Sequence, residues 1–389
     1  MFLFERIIWS GRMESPAQRE FWAEEVAKAE GNDDSSSPKS SLEVNGVDKV
    51  WEYYEFASQN PTDAQSLYAF NDDYLDVRAA FQEEKRGLIT FCFFSMALGL
   101  NLYMLYGSVL FPFELYVMGN AYHDRWDLGN LFFGLFFLLV MGGSNYYLWK
   151  YTWRWFRVEL FTQRHLIARF NRKTRQVYVN RPKYAGGIVI LPWEAVVPAI
   201  NPEDPDFMGM GGFLLLAFMS EHTGAGYDET LMLGRPMHGN QELVGFWEFI
   251  RRYMEEGPQA VPKPKRLLTL RPTPIEPVRA TLRFMSGFWR NGGKITALIT
   301  GTLLSPLIVL HALCHWISLL LCWAPRWPKE IQEAGQPGKP IPKLTTAEDF
   351  GPVIGANLRA NTLKERSETP MPERPGWRPA VRQQDDFDV

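Results

Sequence analysis

The chain has 389 residues, is 46% hydrophobic and 22% charged, and sets 41 Lys and Arg against 44 Asp and Glu for a net charge of −3. That balance excludes a generally basic nucleic-acid binder, whose pI lies above about 9, and three cysteines exclude a disulfide-stapled scaffold. The mean hydropathy of −0.20 conceals a sharp partition, because the apolar excess is gathered in three blocks.

Residues 1–87 form an acidic N-terminal region with nine bases and eighteen acids. Glu5 and Arg6 interrupt the apolar core that a signal peptide would need. Ser15-Pro16-Ala17-Gln18 predicts a helix start, with Ser as cap and Pro in the first turn, running to about Glu30 and stopping at Gly31. Residues 32–41 read as a flexible linker. Asp48 to Ala57 and Thr62 to Glu84 read as further amphipathic helices.

Gly87 to Phe113 carries no charge, nor does Leu128 to Trp149. A bilayer core of about 30 Å needs about 20 apolar helical residues, so 88–150 predicts a transmembrane hairpin. Tyr146, Tyr147, Trp149, Tyr151, Trp153 and Trp155 fit an interfacial aromatic belt. Arg125 is the one strong base in the connection, facing Glu114, Asp124 and Asp127, whereas Lys85, Arg86, Lys150, Arg154 and Arg157 lie in the flanks. Positive charge marks the cytoplasmic side, so the flanks are expected inside and the connection outside.

Residues 151–257 change character. Strand-length apolar runs recur at Phe156–Phe161, Leu166–Phe170, Gln176–Asn180, Ile188–Leu191, Val196–Ile200, Phe213–Phe218 and Thr230–Leu233, separated by turn residues. Strict alternation through Arg175–Arg181 predicts a strand with one wet face. From Asn240 to Glu256 the period becomes helical, with Leu243, Phe246, Trp247 and Ile250 on one stripe; Asn240 is placed to cap this helix and Gly257-Pro258 to end it. The fold class is therefore an α+β membrane protein: a transmembrane helical hairpin plus a small antiparallel β barrel or sandwich, capped by a C-terminal helix at 240–256.

A Pro-rich basic linker follows at 258–294, then a third apolar segment at 295–325 holding Pro306, His311 and His315. Its length favours a third span, kinked at Pro306 with the C-terminus exported, over a re-entrant piece. Residues 326–389 are rich in proline and charge and read as a largely disordered tail.

The element order, with Phe170-Asn171-Arg172-Lys173-Thr174-Arg175-Gln176-Val177-Tyr178, Leu191-Pro192-Trp193 and Trp247-Glu248-Phe249-Ile250, resembles a pleckstrin-homology-like (PH-like) domain carried on a bacterial membrane hairpin. The layout over residues 85–330 is similar to an uncharacterised proteobacterial membrane family, some of whose members sit beside toxins of the type VI secretion system. The resemblance implies a bacterial inner-membrane, multi-pass protein with a cytoplasmic β domain and an immunity role. It brings no defined functional residues.

Catalytic signatures are missing from the sequence: it has no Gly-x-Ser-x-Gly, His-Glu-x-x-His, Walker loop or dinucleotide Gly-x-Gly-x-x-Gly. The Met208-Gly-Met-Gly-Gly212 run lacks the Lys-Ser/Thr of a phosphate loop and reads as a hairpin or bulge. His311, Cys314 and His315 come nearest to a metal set, but a metal site needs three or four ligands, and packed polar residues of a membrane bundle are the expected reading. We therefore expect no catalytic residue, cofactor or metal.

Charge distribution says more. Residues 151–183 hold nine bases and Glu159 as the sole acid, while 194–256 hold eleven acids and three bases. The basic side, with Arg169, Arg172, Lys173 and Arg175, is expected to meet anionic phospholipid of the inner leaflet. The acidic loops, with Glu203, Asp204, Asp206, Asp228 and Glu229, are the expected docking face for a cognate protein toxin, for example a nuclease whose nucleic-acid groove an acidic face could fill. The expected function is a non-enzymatic, membrane-anchored binder, specifically an immunity protein. The alternative is a lipid-binding module in envelope maintenance.

Overall fold

The computed structural model describes residues 2–15, 17–19, 21, 52–79, 83–118, 126, 128–199, 212–237 and 239–368. In chain order the elements begin with α1 (Leu3–Met13), β1 (Leu67–Phe70), β2 (Tyr74–Arg78), α2 (Leu88–Leu105), α3 (Phe111–Met118) and α4 (Leu128–Phe156). Strands β3 (Ile167–Asn171), β4 (Gln176–Asn180), β5 (Ile188–Pro192), β6 (Val196–Ala199) and β7 (Gly212–Phe218) follow. The chain continues through α5 (Ser220–Thr223), β8 (Glu229–Met237), α6 (Asn240–Glu255), α7 (Ile275–Leu320), α8 (Lys329–Glu333) and α9 (Pro352–Glu368). Two compact units result.

The α+β unit is assembled from Phe2–Glu83, Gln163–Arg271 and the chain from Ala324 onward. Its strands form a five-stranded antiparallel meander, β1 to β5 in order, and a three-stranded antiparallel sheet, β6-β7-β8. The β3–β4 turn is set by Asn171, whose Oδ1 accepts from the amides of Lys173 and Thr174 at 3.0 and 3.1 Å, a side-chain mimic of a backbone turn. Inward residues of both sheets, among them Val77, Phe170, Val179, Leu214 and Leu231, share one core with Phe246, Trp247, Phe249 and Ile250 of α6. Each fully buried aliphatic or aromatic side chain there contributes roughly 1.5–3 kcal/mol. Trp193 stacks on Trp247 at 5.7 Å in its centre.

The helical unit comprises Glu84–Thr162 and Pro272–Trp323. Leu88–Met118, Leu131–Trp153 and Leu298–Leu320 are long and apolar enough to cross a membrane, the composition of a multi-pass membrane protein. A π turn at Tyr106–Leu110 joins α2 to α3. The helices approach closely at Gly134, where a Cβ would lie 2.5 Å from the Ser108 carbonyl oxygen. Asn145 donates to Asn101 across the same pair of helices at 3.1 Å.

The stretch Ile275–Leu320 is not one straight rod. Thr281 Oγ1 lies 3.0 Å from His311 Nδ1, and Trp316 Nε1 donates to the Pro272 carbonyl at 3.1 Å. Thirty helical residues would span about 45 Å, so the chain reverses between Thr281 and His311. The stretch begins and ends at one end of the unit, and its second arm, Leu298–Leu320 within the expected segment 295–325, is the third run long and apolar enough to cross a membrane.

Other expectations change as well. Thr62 to Glu84 is not a helix: it supplies β1 and β2, turned at Asn71-Asp72-Asp73, and residues 53–55 lie in turns. Phe156–Phe161 is not a strand, since α4 runs to Phe156 and irregular chain follows. The expected barrel is not closed, the strands dividing into two sheets. Helix α6 starts from Gly239, with no side-chain cap. The tail is ordered through α9. Ser15 and Gln18 exchange the reciprocal bonds of a capping box. The rest of that helix beyond Phe21, the linker at 32–41 and Met208–Gly211 lie outside the described residues.

Candidate functional site

Arg169, expected to face lipid, is buried. Its guanidinium makes two bonds to Asp76 on the neighbouring strand, 2.7 and 2.8 Å, and lies between the Tyr74 and Trp327 rings at 3.7 and 4.9 Å. Burial raises the Asp76 carboxyl above the ordinary range against the pull of Arg169. Lys173 pairs with Asp73 at 2.7 Å and is half exposed. Arg175 takes a left-handed backbone (φ 56°) and bridges Glu194 and Glu255 at 2.6 and 2.9 Å. Arg172 lies against Gly257, where a Cβ would meet the guanidinium carbon at 3.0 Å. The four bases therefore do not form one open patch, because Arg169 is covered between Asp76, Tyr74 and Trp327 and Arg175 is tied to two acids.

The acidic set divides in the same way. Glu203, Asp204 and Asp206 lie outside the described residues. Asp228 accepts from the Ser220 amide at 2.6 Å, at the start of α5. Glu229 is 1% exposed and held by Arg12 at 2.6 Å and Arg181 at 2.9 Å, which makes it a clamp for α1 rather than a docking residue. Burial alone would raise its carboxyl, but the two arginines overcome burial and hold it down to about 2. A cavity of about 30 Å³ beside this clamp, lined by Phe4, Trp9, Arg12, Arg181 and Leu231, has room for a water or two. Glu248, fully buried on α6, is clamped by Arg251 and Arg252 and also accepts from the Ala57 amide at 2.8 Å.

The most distinctive arrangement was not expected from the sequence. On the face of the five-stranded sheet away from the core, residues 326–345 cross as a strap made of the short helix α8, the turns that follow it and irregular chain on either side. Asn180 donates to the Arg326 carbonyl at 3.0 Å, Asn171 to that of Ala334 at 3.1 Å and Gln176 to that of Pro342 at 2.8 Å. Thr345 and Ile190 bond in both directions at the end. Ile331 and Ala334 pack on Tyr178 beside Ile188, Ile190 and Trp327. Gly335 passes so close that a Cβ would sit 2.9 Å from the Lys173 stem. The signal was present in Gln176, Tyr178 and Asn180: a solvent-facing strand more often carries Lys, Glu or Thr, whereas amides are suited to read a backbone.

In the helical unit a second knot gathers chain ends. Arg86, fully buried, donates to Ser318 Oγ at 2.8 Å, the Glu159 carbonyl at 3.0 Å and Cys322 Sγ at 2.8 Å. The Glu159 carboxylate accepts from the amides of Gly87 and Thr90, and so caps the positive end of α2. Burial raises that carboxyl, opposed by Arg86. His311 is engaged with Thr281, and His315 backs onto Gly87. Among the described residues no three His, Cys, Asp or Glu side chains converge as a metal set.

Residues 147–337 match a family of unknown function, DUF6708. No curated protein and no solved structure matches the chain.

Proposed function

We propose that the chain is a membrane-anchored protein that works by capture rather than catalysis. The observation that carries this reading is how the α+β unit spends its polar side chains. Glu229 with Arg12 and Arg181, Glu248 with Arg251 and Arg252, and Asn171, Gln176 and Asn180 all serve to hold distant stretches of polypeptide against the sheets and α6. Such side-chain contacts are the means by which one protein grips another.

The specific form proposed is immunity: the unit, a variation on the PH-like plan, lies on the cytoplasmic side of a bacterial inner membrane and neutralises a type VI secretion toxin. The apolar helices support the anchoring, and the basic flanks of the first two support the side. Glu203, Asp204, Asp206 and Asp228 remain the proposed acidic contacts, while Glu229 does not join them. The lipid-binding alternative keeps Arg172 and Lys173 but loses Arg169 to Asp76.

The test is survival of cells that express the product of the neighbouring gene, with and without this chain, together with co-purification of the pair in mild detergent. Protection with stoichiometric co-purification is expected. Equal killing with and without the chain, and no complex, would overturn the reading.

A further inference from the structure

The polar face under the strap has an unusual composition for a covered surface. Arg169, Asn171, Gln176, Tyr178 and Asn180 point from alternate positions of β3 and β4 toward residues 326–345. A face that is permanently covered gains most from apolar residues, since each buried polar group loses water and recovers only what its partner returns. A face of amides, a phenol and a guanidinium can stand in water when uncovered and bind chain when covered.

The strap is correspondingly light. It buries Ile331, Ala334 and Pro342, with Trp327 half-buried, while residues 336–341 are exposed throughout. Its bonds from Asn180, Asn171 and Gln176 all go to main-chain carbonyls, which any sequence offers. Side-chain selection rests on Trp327 against Arg169 and Tyr178, and on Ile331 in the hollow beside Tyr178. Pro328, Pro337, Pro340 and Pro342 remove amide donors that would otherwise need partners, and Pro328 stands just before the short helix α8 that presents Ile331.

We propose that the polar face of the five-stranded sheet is a peptide-binding surface, closed in cis by residues 326–345, that accepts a proline-punctuated segment of a partner protein in their place. The preferred segment carries Trp followed by Pro, with an aliphatic residue three positions beyond the Pro, as Trp327, Pro328 and Ile331 do here. The proposal deepens the capture reading and rests on it for the existence of a partner, while the surface itself is tested without one.

The probe is a fluorescent synthetic peptide of residues 324–346, titrated into the full chain in mild detergent. Trp327→Ala with Ile331→Ala loosens the internal strap, and this variant should bind the peptide at least tenfold more tightly than the parent chain. Adding Asn171→Ala, Gln176→Ala and Asn180→Ala should remove that gain, and a scrambled peptide should not bind. Equal affinity of the loosened variant and the parent, or equal binding of the scrambled peptide, overturns the proposal.

A second measurement needs no variant. In the parent chain, excess peptide should speed amide hydrogen exchange at Thr345 and Ile331 while leaving β3 and β4 protected, and unchanged exchange there overturns the proposal. Loss of toxin protection with peptide binding intact would instead remove the immunity reading and leave the surface standing.

Discussion

Arg169 and Asp76 stand opposite each other on neighbouring strands β3 and β2, and their two-point ion pair is enclosed by the Tyr74 ring on one side and the Trp327 ring on the other. The pair joins the edge of the N-terminal region, the middle of the chain and the C-terminal strap in one contact. Removing one partner of a buried pair leaves the other charge desolvated, which costs about 3–5 kcal/mol. Arg169→Ala should therefore lower the stability of the α+β unit by about that amount in denaturant unfolding. Arg169→Met with Asp76→Leu should recover most of it, because the desolvation is removed along with the attraction. A double-mutant cycle of Arg169→Met and Trp327→Ala should show about 0.5–2 kcal/mol of coupling from the ring contact.

Glu229 sets an acid limit on the docking of α1. Its carboxyl titrates near 2 when α1 is docked and near the ordinary 4.5 when the chain is unfolded. A depressed folded value contributes stability that is complete above about pH 4.5 and decays as pH falls toward 2. Protection of the amides of residues 3–13, taken relative to intrinsic exchange at each pH, should fall across that window, ahead of β3 and β4. Glu229→Gln should lower protection of these amides at neutral pH and remove the pH dependence of that protection between about pH 4.5 and 2, since a neutral amide gives Arg12 and Arg181 no counter-charge.

What the sequence disclosed depended on how locally each element is determined. Gln176–Asn180 and Asn240–Glu255 stood out because period and turn chemistry agree over a few residues: Asn171 forms its own turn, and the apolar stripe of α6 meets the core. The β1–β2 hairpin was misread as a helix because Leu67, Tyr68, Phe70, Tyr74, Leu75 and Val77 satisfy both periods, and only the Asn71-Asp72-Asp73 turn separates the two readings. Burial of Arg169 and Glu229 was not legible, since each depends on a partner more than 45 residues away in sequence: Asp76 at a separation of 93, Arg181 at 48 and Arg12 at 217. The strap was hidden for the same reason: proline and charge look disordered until the amides of β3 and β4 supply the hydrogen bonds that order them.

The reversal within Ile275–Leu320 fixes an expected sidedness. Pro272 meets Trp316, Thr162 meets Trp323, and Arg86 meets Glu159 and Cys322, so the chain ends of the helical unit gather at one end. Single cysteines introduced as Gln59→Cys and Ile341→Cys, with Cys92→Ala as background, should react with a membrane-impermeant maleimide from the same side. Trp126→Cys, in the connection between the first two apolar helices, should react from the opposite side. Labelling of Ile341→Cys together with Trp126→Cys would show a tail that has crossed.

Gly134 allows the first two apolar helices to approach. A Cβ at this position would lie 2.5 Å from the Ser108 carbonyl oxygen and 3.0 Å from two ring carbons of Pro112, so neither the backbone nor the rigid ring can give way cheaply. The π turn at Tyr106–Leu110 brings that carbonyl close, and the Asn101–Asn145 bond depends on the same packing. Gly134→Ala should therefore weaken the helical unit by about 1–3 kcal/mol, the usual range for overpacking. Thermal unfolding in detergent would measure it. Gly99→Ala is the control, because nothing lies within 4 Å of a Cβ there. Replacing an unencumbered helical glycine should be neutral or stabilising by up to about 1 kcal/mol. If Gly134→Ala behaves like Gly99→Ala, the two helices are not in contact at Ser108.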